Sequence, residues 1–540
     1  MVKRPRSLLS WLPQRWGSQP LRRRTLRAWL LGAAALGPAQ AAQWPGGLGP
    51  VPPARPLFAP ACAAPQSPLE RAVWEVVRAG APDLSCLNAF VGFQRTPRPA
   101  PAAGGEAPTD AFDEIAAQIR AARSEVLLTN MQWDFGPDAQ GRGMAPGSVI
   151  AGAVADLYRQ VRADPAAYPQ GMAVRLSLGG YPDLRRTIDG ATQVLSLARE
   201  LRERGVALDD PAARWRLSLL HYPYFPHSHV KLHVIDGQDV TVAGFNLSRV
   251  QLPKSEGGDD QHDIGLRLRG PVAQAGVAVF DDLWRNSRQL RCPPGVAPER
   301  VFQNCSLGAP DPVSHPLAAQ FARPAGEARA YLLYRRPGED QADRAHLALL
   351  NAARREIDLM QVDFSPEPTC WGANAGPAGC GADSPYFSSY LRAVLGAIER
   401  GVRVRLLVMP NSTSLERPGN RAGIALLRYE ARRRGLERLF EVRHVNYKMH
   451  DKVIAVDREL VSVGSVNFHF SSWGPLGLNE AALITNDPAA LREHQAEFES
   501  IWTSPVLSRA APEERWLSRV RADPSLTGKP GPAQPSPSAP

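Results

Sequence analysis

The sequence predicts an α/β protein of two homologous lobes related by a pseudo-two-fold, with a single active site at their interface. Three observations carry this. One succession of segments occurs twice along the 540 residues. Within each copy, apolar runs of strand length alternate with stretches whose apolar residues recur at helical spacing, the pattern of a sheet covered by helices. Each copy also holds a histidine two residues before a lysine, in a chain with only six lysines among 63 basic residues. Two homologous halves bring matching loops to one interface when they pack about a two-fold.

Residues 1–41 carry eight basic residues and no acidic ones, and end in AWLLGAAALGPAQA. A charged stretch, a short apolar run and Ala39-Gln40-Ala41 form the pattern of an export signal peptide. RRRTLR at 22–27 loosely fits a twin-arginine signal, so the expected location is periplasmic or secreted. The apolar run is well short of the ~20 residues that span a bilayer. Without the leader, the formal charge of +10 falls to about +2. The mature chain has no strong excess from which to build the basic face of a nucleic-acid binder.

Residues 42–105 are a Pro/Ala-rich N-terminal segment with a short helix. The first lobe spans 106–290. It opens with DAFDEIAAQIRAARSEVLLTNMQWDF (110–135), a helix followed by a strand, and continues with the strand GMAVRLSLGG (171–180). HVKLHVIDGQDVTVAGFNLS (229–248) reads as strand, turn and strand, HDIGLRLRG as a further strand, and FDDLW (280–284) closes a helix. A Pro-rich connector, 291–320, leads to the second lobe at 321–510. There DRAHLALLNAARREIDLMQVDF, GVRVRLLVMP, HDKVIAVDRELVSVGSVNFHFSS, NEAALITND and FESIW repeat the series. His229 precedes Trp284 by 55 residues and His450 precedes Trp502 by 52, so spacing is kept as well as order. Residues 511–540 have almost nothing to bury and are expected to be largely disordered.

Six cysteines fall into three local couples, none of them C-x-x-C. Proximity alone selects Cys62–Cys86, Cys292–Cys305 and Cys370–Cys380 from the fifteen pairings that six cysteines allow. Disulfides imply an oxidising compartment, and metal-ligand spacing is absent, so no cofactor is expected.

The chemistry concentrates in H-x-K-x4-D followed by G-x-N: His229, Lys231, Asp236, Gly244 and Asn246, then His450, Lys452, Asp457, Gly464 and Asn467, with Ser465 beside Gly464. His and Lys two apart on a strand share a face. The glycines permit close backbone approach, and each Asn adds an amide donor. Donors of this kind converge on a tetrahedral anion. Lysine suits phosphate as a compact charge with three rotatable protons, where the planar guanidinium demands fork geometry. One histidine attacks phosphorus and the other protonates the leaving alcohol, which divides one hard substitution into two steps. Each histidine also needs a carboxylate on its other ring nitrogen. Asp263 lies 34 residues after His229 and Glu480 lies 30 after His450, and each is assigned to the histidine of its own lobe. Asp236 and Asp457, which follow their strands at a turn, are the weaker candidates for catalysis.

At these residues the chain resembles the phospholipase D superfamily, defined by twin H-x-K-x4-D-x6-G-S-x-N motifs, over roughly residues 106–505. The resemblance implies two α/β lobes meeting at one metal-independent site and a phosphohistidine intermediate. It makes His229 the nucleophile, His450 the general acid, and Lys231, Lys452, Asn246 and Asn467 the phosphate cradle. Gly464-Ser465-Val466-Asn467 fits the motif. The first copy departs from it, with Phe245 where a small polar residue is usual. The expected activity is that of a phospholipase D cleaving or transferring the phosphatidyl group of phospholipids at a membrane surface. Water or a small alcohol is the acceptor, and the chain acts as a monomer. A cardiolipin synthase-like transferase and an exported nuclease are alternatives of the same superfamily, and a catalytically dead lipid-binding protein is the non-enzyme alternative. The aromatic stretch HYPYFPHSH (221–229) and Trp473 are read as packing before they are read as a lipid-facing rim.

Overall fold

The computed structural model describes residues 48–78, 82–99, 109–180, 190–367, 370, 377–410 and 419–513. The predicted leader (1–41) and most of the predicted tail lie outside the described residues. The first sheet has ten strands: β1 (Ala89–Thr96), β2 (Glu125–Asn130), β3 (Met172–Leu178), β4 (Asp209–Asp210), β5 (Trp215–His221), β6 (Leu232–Ile235), β7 (Asp239–Ala243), β8 (Asp263–Arg269), β9 (Arg288–Arg291) and β10 (Ser306–Gly308). Their order is β1-β8-β7-β6-β2-β3-β5-β9-β10, with β4 beside β5. The second sheet has eight: β11 (Ala330–Arg335), β12 (Glu356–Gln361), β13 (Arg403–Val408), β14 (Phe440–Val445), β15 (Lys452–Val456), β16 (Leu460–Gly464), β17 (Glu480–Thr485) and β18 (Ser508–Ala510), in the order β11-β17-β16-β15-β12-β13-β14-β18. Apart from β4 and β10 the two orders coincide. In each, three parallel strands lead into an antiparallel meander.

Helix α1 (Pro68–Val77) precedes the first lobe, whose main helices are α2 (Ala111–Ala121), α3 (Pro146–Ala163), α4 (Gly190–Glu203) and α5 (Val272–Arg285). Those of the second are α6 (Gln341–Ala352), α7 (Ser389–Glu399), α8 (Gly419–Arg433) and α9 (Pro488–Thr503). The central strands read as unbroken apolar runs because both their faces are buried. Val126 and Leu128 face the core under α2, α3 and α4, whereas Leu127 between them faces the other lobe. Ile454 and Val456 likewise face the outer core of the second lobe, and Val453 and Ala455 face inward. The inner faces of both sheets, together with α5 and α9, share one continuous apolar core.

Two boundaries differ from the sequence reading. Part of the 42–105 segment belongs to the lobes: β1 pairs antiparallel with β8 of the first sheet, and Leu69 and Val73 of α1 join the core of the second lobe. The connector also extends the first sheet through β10, and Cys292–Cys305 closes that β9-β10 hairpin. Pro/Ala richness concealed both. All three predicted disulfides are present and the described residues include no free cysteine.

Candidate active site

Each H-x-K is positioned by a hairpin whose far end is fixed by the motif aspartate. Asp236 and Gly237 both have positive φ, as do Asp457 and Arg458, the conformation a two-residue hairpin turn requires. The Asp236 carboxylate accepts the backbone amides of Arg123, Ser124 and Glu125, and Asp457 accepts those of Arg354, Arg355 and Glu356. These amides stand where β2 and β12 begin. The histidine and lysine stand where those strands end, because β6 and β15 pair antiparallel with them. Asp236 and Asp457 are therefore turn anchors, and their reading as catalytic candidates is corrected: their oxygens are filled by backbone donors at the opposite end of the sheet.

The histidines meet across the lobe interface through two matching exchanges. The His229 amide donates to Asn479 O at 2.9 Å, and the His450 amide donates to His262 O at 2.7 Å. Each accepting residue is followed by a buried carboxylate. His229 Nδ1 lies 2.8 Å from Glu480 Oε2, and His450 Nδ1 lies 2.5 Å from Asp263 Oδ2. The sequence assigned each carboxylate to the histidine of its own lobe, and the structure exchanges them. The cause is geometric: the backbone bridge carries each histidine onto the partner sheet, beside the first residue of β17 or β8. An imidazole held through Nδ1 keeps Nε2 for chemistry.

Lys231 and Lys452 are buried. Lys231 Nζ donates to His229 O at 2.9 Å, while Lys452 Nζ stands 2.7 Å from His450 Nδ1 and 3.7 Å from Asp263 Oδ2. Asn246 and Asn467, which follow the second strand of each hairpin, each have a buried Oδ1 without a hydrogen-bond partner in the structure. Among the described residues, no group of three or more His, Cys, Asp or Glu side chains is arranged as a metal site.

The glycine motifs align differently from the sequence reading. Gly244 N donates to Ile264 O at 3.0 Å and Ser465 N to Ala481 O at 2.9 Å, so Gly244 is the counterpart of Ser465 and Ala243 that of Gly464. The hydroxyl missing from the first lobe is thus missing at Gly244. Phe245 matches Val466, both buried, and packs edge-on against Phe112. A Cβ on Gly244 would lie 2.1 Å from Asp263 Oδ1, so glycine there makes room for the carboxylate. Gly464 serves backbone approach, since a Cβ would lie 2.3 Å from Ala481 O.

Electrostatics differ between the halves. Ser465 Oγ and Ser472 Oγ donate to Glu480 at 2.5 and 2.7 Å. Burial still pushes this carboxyl up to about 7, against the pull of Lys231 and the two hydroxyls. Burial also acts upward on Asp263, but Lys452 and His450 outweigh it and hold Asp263 below the usual carboxylate range. His229 is driven well below the ordinary imidazole range by burial, then by Lys231, Lys452 and His450, which leaves it neutral at pH 7. Burial and Lys452 lower His450 too, opposed by Asp263.

Sequence reasoning missed Ser472, which carries no motif signal. It also missed His262 and Asp451, whose Nδ1 to Oδ2 contact of 3.0 Å spans the lobes. Their signal was adjacency, since each neighbours a candidate in the chain. Trp473 is buried and donates to Asn467 O at 2.7 Å, and Tyr222 is also buried, so both are packing residues; Phe225 is exposed.

Residues 347–502 match the family model described as "Cardiolipin synthase, PLD-like domain". No curated protein matches the sequence. Among solved structures the chain is similar to phosphatidylserine synthase from Haemophilus influenzae Rd KW20, at 14% identity and TM-score 0.51, covering 85% of this chain and 94% of that one. It is also similar to Nuc from Salmonella typhimurium, a phospholipase D family member (19% identity, TM-score 0.26, 34% of this chain and 99% of that), and to NucT from Helicobacter pylori (16%, 0.24, 33% and 98%). The first of these likenesses shows a common fold.

Proposed function

We propose that this chain is a phosphodiesterase of the phospholipase D superfamily, cleaving the phosphatidyl group from phospholipids through a phosphohistidine on His229. The observation that carries the reading is the crossed pair of contacts, His229 to Glu480 and His450 to Asp263, which leaves two Nε2 atoms beside two buried lysines. His229, neutral at pH 7, has the lone pair a nucleophile needs. The donor role of His450 rests on geometry: its Nδ1 faces the Asp263 carboxylate, which pulls against the burial and the Lys452 charge that lower it.

In this mechanism Nε2 of His229 attacks phosphorus while His450 passes its proton to the departing alcohol oxygen. Lys231, Lys452 and the side-chain amides of Asn246 and Asn467 receive the non-bridging oxygens, where charge accumulates in the transition state. His450, now neutral, takes a proton from the acceptor. The acceptor oxygen then attacks phosphorus and the bond to His229 breaks. With water as acceptor the product is a phosphatidic acid, and with a small alcohol it is an exchanged phospholipid.

Three disulfides favour an oxidising compartment. Among the described residues no helix is long and apolar enough to cross a membrane. The disulfides support our reading of a chain exported through the 1–41 leader to the periplasm or beyond; we further propose that it works as a monomer at a phospholipid surface.

The deciding experiment incubates purified protein with phospholipids of several head groups, with and without added alcohol and EDTA, and identifies the released and exchanged products. Head-group release that survives EDTA supports the proposal. Degradation of oligonucleotides with lipids left intact replaces it with the nuclease reading.

A further inference from the structure

We propose that Asp363 determines specificity, receiving the ammonium group of an amino alcohol esterified to, or about to attack, the phosphate. Gln361 pairs with Lys452, and Val362 N still donates to Asp451 O at 2.9 Å, so the next residue, Asp363, faces His450 across the ladder. Directly opposed residues of an antiparallel pair project on one face with Cβ atoms ~5 Å apart. Asp363 is 8% exposed; its charge already reaches the Lys452 ammonium, but its Oδ1 is buried without a hydrogen-bond partner. A buried carboxylate oxygen left without a hydrogen bond is destabilising, and a bound ammonium donor relieves it.

The position is rigid. One buried side chain, Asn420, clamps the backbone on both sides of Asp363: its Nδ2 donates to Val362 O at 2.9 Å and its Oδ1 accepts Phe364 N at 2.9 Å. Ser365 N donates to Phe468 O at 2.9 Å, which keeps the segment beside Asn467.

The other lobe supplies the contrast. Glu125 N and Glu356 N both donate to their motif aspartates, which aligns Gln132 with Asp363. Gln132 is neutral, and its Nε2 donates to Ser248 Oγ at 3.3 Å. The carboxylate therefore occurs only on the His450 side, where the proposed mechanism puts the leaving and entering alcohols. Two carbons separate ammonium from ester oxygen in 2-aminoethanol, a spacing that fits opposed side chains ~5 Å apart. Glycerol offers no charge for Asp363 to pair with.

The inference rests on the phosphodiester reading, and two measurements keep them apart. First, kcat/KM is compared for phosphatidylethanolamine and phosphatidylglycerol bearing the same acyl chains. The wild type is expected to prefer the amine, and Asp363→Asn to lower the ratio of the two constants by about 10- to 100-fold, the effect of one charged hydrogen bond. Second, calorimetry measures binding of phosphoethanolamine and glycerol 3-phosphate without turnover, and the same selectivity should fall in the variant. Equal turnover of both lipids by the wild type, or equal losses on both in the variant, overturns the inference and leaves the phosphodiesterase standing. Selective binding of phosphoethanolamine through Asp363 by a protein that cleaves neither lipid keeps the inference and removes the phosphodiesterase.

Discussion

Glu480 and Asp263 occupy equivalent places in the two lobes. Each opens a strand, follows the residue whose carbonyl takes a histidine amide from across the interface, and holds that histidine by Nδ1. Their surroundings diverge. Glu480 has two serine hydroxyls and a pKa near 7, whereas Asp263 has a glycine beside it, a lysine 3.7 Å away and a lowered pKa. The difference teaches that duplication fixed the positions of the acids while neighbouring residues set their charge. Both histidines are lowered by burial, His229 the further, and only at His450 does the facing carboxylate pull strongly the other way.

The strongest way to break this comparison is to delete each histidine. His229→Ala should abolish turnover and give no phosphorylated enzyme with any substrate. His450→Ala should slow turnover by roughly 10²–10⁴ for a natural alcohol. With an activated leaving group it should instead accumulate a phosphoryl group that peptide mapping finds on His229. A label found on His450 would reverse the roles.

The carboxylates sharpen it further. Asp263→Asn should cost up to about 10⁴ in kcat at every pH, because an amide cannot fix the ring tautomer or hold its positive charge. Glu480 is protonated below about 7 and ionised above it. Phosphorylated His229 carries positive charge that only the ionised acid stabilises, so kcat should rise as pH passes about 7. Glu480→Gln should remove that limb and be almost silent at pH 6. A pH-rate profile of the three proteins decides the matter.

A smaller loss, roughly 10²–10³ in kcat, is expected for Lys452→Arg, since the buried ammonium sits between His450 and Asp263 where a planar fork does not fit. Kinetics close to wild type would show that the site reads charge without shape. The smallest effect on chemistry is expected from the turn anchors. Asp236→Ala and Asp457→Ala should each lower stability by about 2–3 kcal/mol through lost charged hydrogen bonds. Thermal melts would register this while kcat per folded molecule stays constant.

The duplicated order of helices and strands was legible because buried strands and amphipathic helices leave periods that survive divergence. Both H-x-K pairs stood out because lysine is rare in the chain. Which carboxylate meets which histidine was not legible, since a distance of 34 or 30 residues along the chain carries no information about which lobe a side chain faces. The glycine alignment slipped by one residue because Asp236 to Ala243 matches Asp457 to Gly464, and the conspicuous Gly244 drew the eye instead. The role of Asp236 was within reach: Asp-Gly between two apolar runs is a strong hairpin signal. Ser472 was not, because a serine near a strand has no distinguishing pattern until the carboxylate it serves is placed.

The crossed carboxylates also bear on ancestry. A single lobe with one H-x-K and one acid would have nothing to hold its own histidine and would need a second copy bound, so its activity would fall on dilution. Joining two copies by a short connector replaces that encounter with a tethered one, at an effective concentration on the order of millimolar. Fusion makes such a site independent of abundance. It also freed the two acids to acquire different neighbours, which identical subunits cannot do.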